Sequence, residues 1–251
     1  MSAPALVLSN ISKSFGGIHA LEGVGTTVDF GAVTSVVGDN GAGKSTFLKI
    51  ASGVEQPDSG EILVRGKAVQ LRGPHEAQAN GIGVVHQDLG LVPSLTIWQN
   101  LFLGREKVIG PEWAGLLQRR GMMKEARRVL DDFGIRIPKG AIDKPVAELS
   151  GGQRQAIAIC RAAHEGHDIL LLDEPTAALG LIESERTLET IIALKERGLA
   201  ILLISHNFAD VEKVSDRVLI LRAGREIGRL EGSEVQESNI IDLLKGTRQT
   251  A

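Results

Sequence analysis

The stretch Gly38-Asp39-Asn40-Gly41-Ala42-Gly43-Lys44-Ser45-Thr46 follows the apolar run Val33-Thr34-Ser35-Val36-Val37 and precedes a segment of helical character. It matches G-x-x-x-x-G-K-[ST] in the context that pattern requires, between a strand and a helix. Glycines at this spacing let the backbone curl until successive N–H groups converge on phosphate oxygens, and a helix starting near Gly43 adds the positive end of its dipole. On this reading Lys44 neutralises the β- and γ-phosphates and the Ser45 hydroxyl takes one Mg²⁺ position. A second apolar run, 168–172, ends in Leu172-Asp173-Glu174-Pro175. In open α/β sheets ligands bind beyond the carboxyl ends of strands, so these two carboxylates are expected at a binding edge. Asp173 is then a direct or second-sphere Mg²⁺ partner opposite Ser45. Glu174 is the candidate general base, or at least the group that orients and polarises the attacking water.

Elsewhere in the chain, short β-branched and leucine-rich runs recur at 5–9, 32–37, 61–64, 82–85, 200–204 and 217–221, with helical periods between several of them. That is an α/β pattern. The chain up to about Val69 reads as a strand-rich edge layer with turns at Gly16-Gly17 and Pro57-Asp58-Ser59-Gly60. From about Leu89 to Glu148 strand signals vanish, and 122–133 carries Met122, Met123, Ala126, Val129, Leu130 and Phe133 at amphipathic spacing, which marks a helical insert. The segment 233–245 is expected to close the fold as a helix with Ile240, Ile241, Leu243 and Leu244 on its apolar side.

The 251 residues are 43% apolar and 24% charged, which excludes a disordered or low-complexity chain and leaves room for a substantial core. A net charge of -3 lacks the broad positive field of a protein that tracks nucleic acid, so no nucleic-acid partner is expected. The single cysteine, Cys160, excludes an internal disulfide, fits a reducing compartment, and reads as a small core residue. No basic residue precedes Lys13, and the longest apolar runs, such as 199–204, fall far short of the ~20 residues that span a bilayer. The chain is therefore expected to carry neither a secretion signal nor a membrane span. His19, His75, His86, His164 and His167 show no metal-ligand spacing.

A narrower identification rests on Leu149-Ser150-Gly151-Gly152-Gln153, continued by Arg154-Gln155-Ala156-Ile157-Ala158-Ile159-Cys160-Arg161-Ala162. Ser150 is a good N-cap and the glycines permit close approach, so this is a second anion-binding helix terminus. The stretch resembles the signature segment of the ATP-binding cassette (ABC) family. Similar correspondences occur at Phe15, the aromatic that stacks on adenine; at Gln87, which senses Mg²⁺ and water; and at His206, which contacts the γ-phosphate. Taken alone, Phe15 is equally a core residue, His206 equally a strand-end histidine, Gln87 an ordinary surface residue, and the turn from Ser150 to Gln153 an ordinary capped helix. All these motifs stand in the family's order between about Ala5 and Lys245.

The resemblance implies a P-loop NTPase fold of the ABC ATPase kind: an α/β domain over 5–245 with a mixed sheet core, an antiparallel β edge layer and a helical subdomain at about 89–165, followed by a polar tail at 246–251. It implies ATP and Mg²⁺ as ligands, with Ser45, Gln87 and Asp173 at the metal and Ser150, Gly151, Gly152 and Gln153 closing over the ATP of a second copy in a head-to-tail homodimer. One departure is Ala177-Ala178-Leu179-Gly180, where the family usually ends in Asp; Gly180 brings no carboxylate to the dimer.

Fused membrane helices of exporters, long coiled coils of repair ATPases and the paired cassettes of ribosome factors are all missing from the sequence. It looks most like monosaccharide-importer cassettes, notably at 84–89, 100–106, 176–180 and 204–207. The expectation is an ATPase subunit peripheral to the cytoplasmic face of the membrane, bound to permease subunits and served indirectly by a periplasmic or extracellular sugar-binding protein. The rival is a soluble regulatory or repair-type ATPase, or an importer of another solute. Trp98, Leu101, Phe102 and Leu103 either form an apolar groove for a permease helix or pack the insert.

Overall fold

The computed structural model describes residues 3–110, 115–135, 137–138 and 140–247. In chain order, β1 (Leu6–Phe15), β2 (Ile18–Val28), β3 (Val33–Gly38), α1 (Lys44–Ala51), β4 (Ser59–Val64), β5 (Lys67–Val69), α2 (Pro74–Ala79) and β6 (Ile82–Val85) come first. Next are α3 (Ile97–Leu101), β7 (Val108–Ile109), β8 (Leu116–Leu117), α4 (Arg119–Asp132) and α5 (Gly151–His164). Then follow β9 (Ile169–Asp173), α6 (Leu181–Glu196), β10 (Ala200–Ile204), α7 (Phe208–Val214), β11 (Arg217–Arg222), β12 (Arg225–Glu231) and α8 (Glu237–Lys245). Two compact units result: Met1–Gln87 with His167–Pro175 and Leu194–Ala251, and Asp88–Gly166 with Thr176–Ala193. Among the described residues no helix is long and apolar enough to cross a membrane.

In the first unit the continuous apolar runs become strands buried on both faces, as all-apolar strands must in a covered sheet. They sit in a six-stranded sheet ordered β12-β11-β3-β10-β9-β6. From β11 to β6 the pairings are parallel, and only the edge strand β12 is antiparallel. A separate antiparallel sheet has the order β2-β1-β4-β5. The mixed sheet and antiparallel layer expected from the sequence are thus both present. Leu6, Leu8, Ile11, Phe47, Ile50, Leu171 and Leu202 join one buried cluster, while α7 and α8 pack through Val211, Ile240 and Leu243 on Val37 and Ile220. Each such side chain removed from water contributes about 1.5–3 kcal/mol.

Several boundaries differ from the sequence reading for local reasons. β1 runs on to Phe15 and β2 joins it, because register shifts at Leu8/Ile11, Ile11/Lys13 and Lys13/Ser14 break the period-two alternation by which strands are recognised. β12 is charge-rich and gains its place by pairing Arg217 with Glu231 along β11. The last helix starts at Glu237 rather than 233, after a 3-10 turn over Gly232–Glu234, and Gly246 closes it. Of the expected tail, residues 248–251 lie outside the described residues.

Among its described residues the second unit is helical apart from the small β7–β8 ladder and an isolated Thr96–Pro145 bridge, which fall in a segment expected to hold no strand. Thr96 begins α3 with a capping box, its Oγ1 accepting from Gln99 N while Gln99 Oε1 accepts from Thr96 N. Trp98, Leu101 and Phe102 are 5%, 2% and 3% exposed and pack with Met122, Ala126, Leu130, Ile157 and Cys160. The docking alternative for these three side chains is therefore corrected: they are core, and of the four only Leu103 reaches the surface. Helical spacing gave them an apolar face without saying what would cover it, and α4 and α5 cover it. Leu101→Asp places an unpaired carboxylate in that core at a cost of several kcal/mol. Loss of the cooperative thermal transition is expected on circular dichroism for Leu101→Asp, whereas Leu103→Asp should melt close to the parent protein.

Candidate functional site

Four neighbouring parallel strands, β3, β10, β9 and β6, end at one edge of the sheet. Their register pairs Val36 with Ile204, Ile204 with Asp173, and Val85 with Leu172. The residues that follow these strands are the glycine-rich loop, His206, Glu174 and Gln87. A parallel sheet thus collects side chains remote in sequence along one line.

The loop from Gly38 delivers the chain into α1 with Gly43 as its N-cap, at φ 103, and no side chain caps that helix. A Cβ at Gly43 would lie 2.5 Å from Ala20 O and 2.8 Å from Leu21 Cδ2, so glycine is required by space as well as by conformation. Lys44 is buried, and its Nζ donates to Gly38 O at 2.7 Å and Asp39 O at 2.9 Å. Burial pulls the ammonium below its ordinary range, against the opposing fields of Glu174, Asp39 and Asp173. Asp39, Asn40, Gly41 and Ser45 are exposed along the loop, Ala42 is buried, and Thr46 lies between.

Asp173 departs in the other direction. Burial pushes its carboxyl above the usual range, and the Glu174 carboxylate pushes the same way, against His86, Lys44 and Lys49. At both groups burial outweighs the opposing charges nearby and disfavours the ionised form. A phosphate chain beside Lys44 with a divalent cation beside Asp173 and Ser45 offsets both penalties, so these residues fit a Mg²⁺-nucleotide.

Glu174 takes a left-handed backbone conformation, φ 48, which costs a non-glycine residue energy and is held here by its N–H donating to Ile204 O at 2.9 Å. Its Oε1 lies 3.1 Å from His206 Nδ1; His206 is 60% exposed and Glu174 25%. Gln87 is exposed two residues past β6. His86, which the sequence offered only as a scattered histidine, stands next to Asp173 because Val85 pairs with Leu172. Finding it required the strand order, in which β6 neighbours β9 despite the long segment between them.

In the second unit Ser150 caps α5 through a full capping box with Gln153, as its sequence position predicts. The glycines that follow have a packing reason the sequence did not reveal. A Cβ at Gly152 would lie 2.8 Å from Glu183 Cβ and 3.2 Å from Glu183 backbone, and one at Gly151 would lie 3.0 Å from Leu179 Cδ2. These glycines let the start of α6 cross the start of α5. Arg161 was also missed: from α5 it donates to Gly90 O at 2.9 Å and Leu89 O at 3.2 Å, fixing the segment just beyond Gln87. Phe15 is 44% exposed at the end of β1, with Lys13 Nζ 5.3 Å from its ring centroid. The core alternative for Phe15 is thereby set aside. Gly180 is exposed immediately before α6.

Residues 21–177 match the ABC transporter family profile. The xylose/arabinose import ATP-binding protein XylG of Sulfolobus acidocaldarius is 40% identical over 242 residues, which cover 95% of this chain and 93% of that protein. The fructose import ATP-binding protein FrcA of Rhizobium meliloti is 41% identical over 250 residues, covering 98% of this chain and 95% of its own. A dimeric structure of a post-hydrolysis state of an ATP-binding cassette, bound to ADP and Pi, superposes with a TM-score of 0.72 at 25% identity over 90% of this chain and 98% of that one.

The unsettled charge at Asp173 yields a test that needs no nucleotide. A carboxyl whose folded pKa is raised binds its proton more readily in the folded state, so its contribution favours folding at acid pH and is lost as pH rises through that pKa. Asp173→Asn should therefore raise the melting temperature of the nucleotide-free protein near neutrality. The gain should shrink as pH falls and the native carboxyl becomes protonated, which a pH series of thermal melts will report.

Proposed function

The chain belongs to the ABC transporter family, and from that premise we propose that it is the ATP-hydrolysing subunit of a monosaccharide importer. The observation that carries the reading is that Lys44 is buried within the fields of Glu174, Asp39 and Asp173 while Glu174 contacts His206, all at the carboxyl ends of neighbouring strands. The sugar class is supported by near full-length similarity to two import ATP-binding proteins named for different monosaccharides. The partners are integral membrane permease subunits, with a periplasmic or extracellular sugar-binding protein acting on them from the far side. The ATPase itself is peripheral to the cytoplasmic face.

Each side chain has a task that its position supports. Phe15 offers a ring face to adenine, and the amides of the loop over 38–46 with the open N-terminus of α1 receive the phosphates. Lys44, which now donates to its own loop carbonyls, turns its ammonium to the β- and γ-phosphates and neutralises charge there. Ser45, Gln87 and Asp173 would hold Mg²⁺, which when bound would supply charge neutralisation at the phosphate oxygens. Glu174 accepts a hydrogen bond from the attacking water and polarises it. His206, in contact with Glu174 Oε1, fixes that carboxylate and donates toward the γ-phosphate. The Ser150-to-Gln153 turn of a second copy supplies the other helix terminus, so two ATP molecules are enclosed by a head-to-tail homodimer.

Glu174→Gln should keep ATP affinity while slowing hydrolysis by at least ~10²-fold, the lower range for losing a positioned base. Lys44→Ala should weaken ATP binding itself, since it removes charge that the phosphates meet before reaction as well as during it. Calorimetry and phosphate release separate the two; near-normal turnover in Glu174→Gln removes Glu174 from the mechanism.

For the transport assignment, the tagged chain should co-purify with membrane permease subunits, and Lys44→Ala cells should lose uptake of one radiolabelled monosaccharide while the docked complex persists. Retained uptake of every monosaccharide tested, with no membrane partner recovered, would favour a soluble regulatory ATPase.

A further inference from the structure

The end of β1 is organised around a residue outside the sites described so far. β1 and β2 are joined by the two-residue turn Gly16-Gly17, with Phe15 paired to Ile18. Lys13 Nζ stands over the Phe15 ring at 5.3 Å. The Asp58 carboxylate reaches both residues that flank this arrangement. Its Oδ2 accepts from Ser14 N at 2.7 Å and its Oδ1 from Lys13 Nζ at 3.2 Å. The Asp58 N–H donates to Ser12 O at 2.8 Å, so the residue is itself pinned to β1. These hydrogen bonds, that from Ser14 first, hold the Asp58 carboxyl below its ordinary range.

We propose that Asp58 is a positioning residue for purine-base recognition, fixing Ser14 and Lys13 so that Phe15 presents one ring face to the base while the Lys13 cation backs the ring. The inference rests on the reading of Phe15 as the base-stacking residue. Asp58 touches no nucleotide; it acts by removing the freedom of an exposed strand end that must otherwise be ordered when the base arrives, a cost that binding would have to meet. The Lys13 ammonium over one face leaves a single face for a planar ring. With Asp58 gone, Ser14 N loses its acceptor, Lys13 loses its counter-charge, and Phe15 is no longer held at one angle.

The test uses the full chain and two ligands, ATP and inorganic tripolyphosphate, which has the phosphates without the base. Phe15→Ala should weaken ATP about tenfold, within the range for losing one base–aromatic stack. Asp58→Ala should weaken ATP severalfold and Asp58→Asn less, since the amide oxygen still accepts from Ser14 N. Tripolyphosphate affinity should be the same in all of them, and Asp58→Ala combined with Phe15→Ala should bind ATP no more weakly than Phe15→Ala alone. If Asp58→Ala binds ATP like the parent while Phe15→Ala does not, the positioning role is wrong and the stacking role stands. If the two losses multiply, or if Asp58→Ala weakens tripolyphosphate as much as ATP, Asp58 acts on the phosphate site or on folding and the proposal is overturned. Normal ATP affinity in Phe15→Ala overturns the stacking reading and this inference with it.

Discussion

Everything at the sheet edge is arranged around an ammonium group that the fold has taken out of water. Lys44 is 7% exposed and finds two carbonyls of its own loop, with Asp39, Asp173 and Glu174 close enough to act on it through their fields. A buried cation without a full partner is costly, and a protein keeps one only where surrounding structure is rigid enough to hold it. The rigidity comes from β3, β10 and β9, whose residues before the site are buried without exception. The strained backbone of Glu174 has the same support, since its N–H is tied to the end of β10. Sheet and site are thus one construction: the apolar strands make the edge, and the edge makes the charges tolerable until a ligand of opposite sign arrives.

The sequence made the centre of this construction readable and its margins less so. Continuous apolar runs marked β3, β9 and β10 because strands buried on both faces leave no alternation to misread. Gly43 and Lys44 were legible because the phosphate-loop pattern encodes backbone shape in residue type. β2 was not, since its bulged pairing with β1 disturbs the period of two. Trp98 and Phe102 carried an apolar signal that suits core and interface alike, and only the packing of α4 and α5 separates the two. His86 beside Asp173 could not be read at all without knowing which strands are neighbours.

Gly151 and Gly152 show how one motif can satisfy two demands. Their phosphate role was inferred from the freedom that glycine gives a helix terminus. The structure adds a steric demand from inside the chain, because a side chain at Gly152 would strike the backbone and Cβ of Glu183. Ser150 is likewise engaged already, as the N-cap of α5. A substitution in this turn therefore changes local packing before it changes any contact with nucleotide, and loss of activity there is not by itself evidence about phosphate binding.

The chain passes from one compact unit to the other at several places. One crossing follows Gln87 and another follows Pro175, the residue after Glu174. The segment entered after Gln87 is not slack. Arg161 holds Leu89 and Gly90, and Arg105 Nη1 donates to Glu165 O at 2.6 Å at the other end of the stretch. Between them the fully buried Asn100 accepts from Val92 N and donates to Val92 O, Leu95 O and Thr96 O. These bonds fasten the segment to itself and to α5, the helix that Ser150 begins. The stretch that begins after Gln87 is thus ordered by its own buried amide and by two arginine contacts, and does not depend on apolar packing alone.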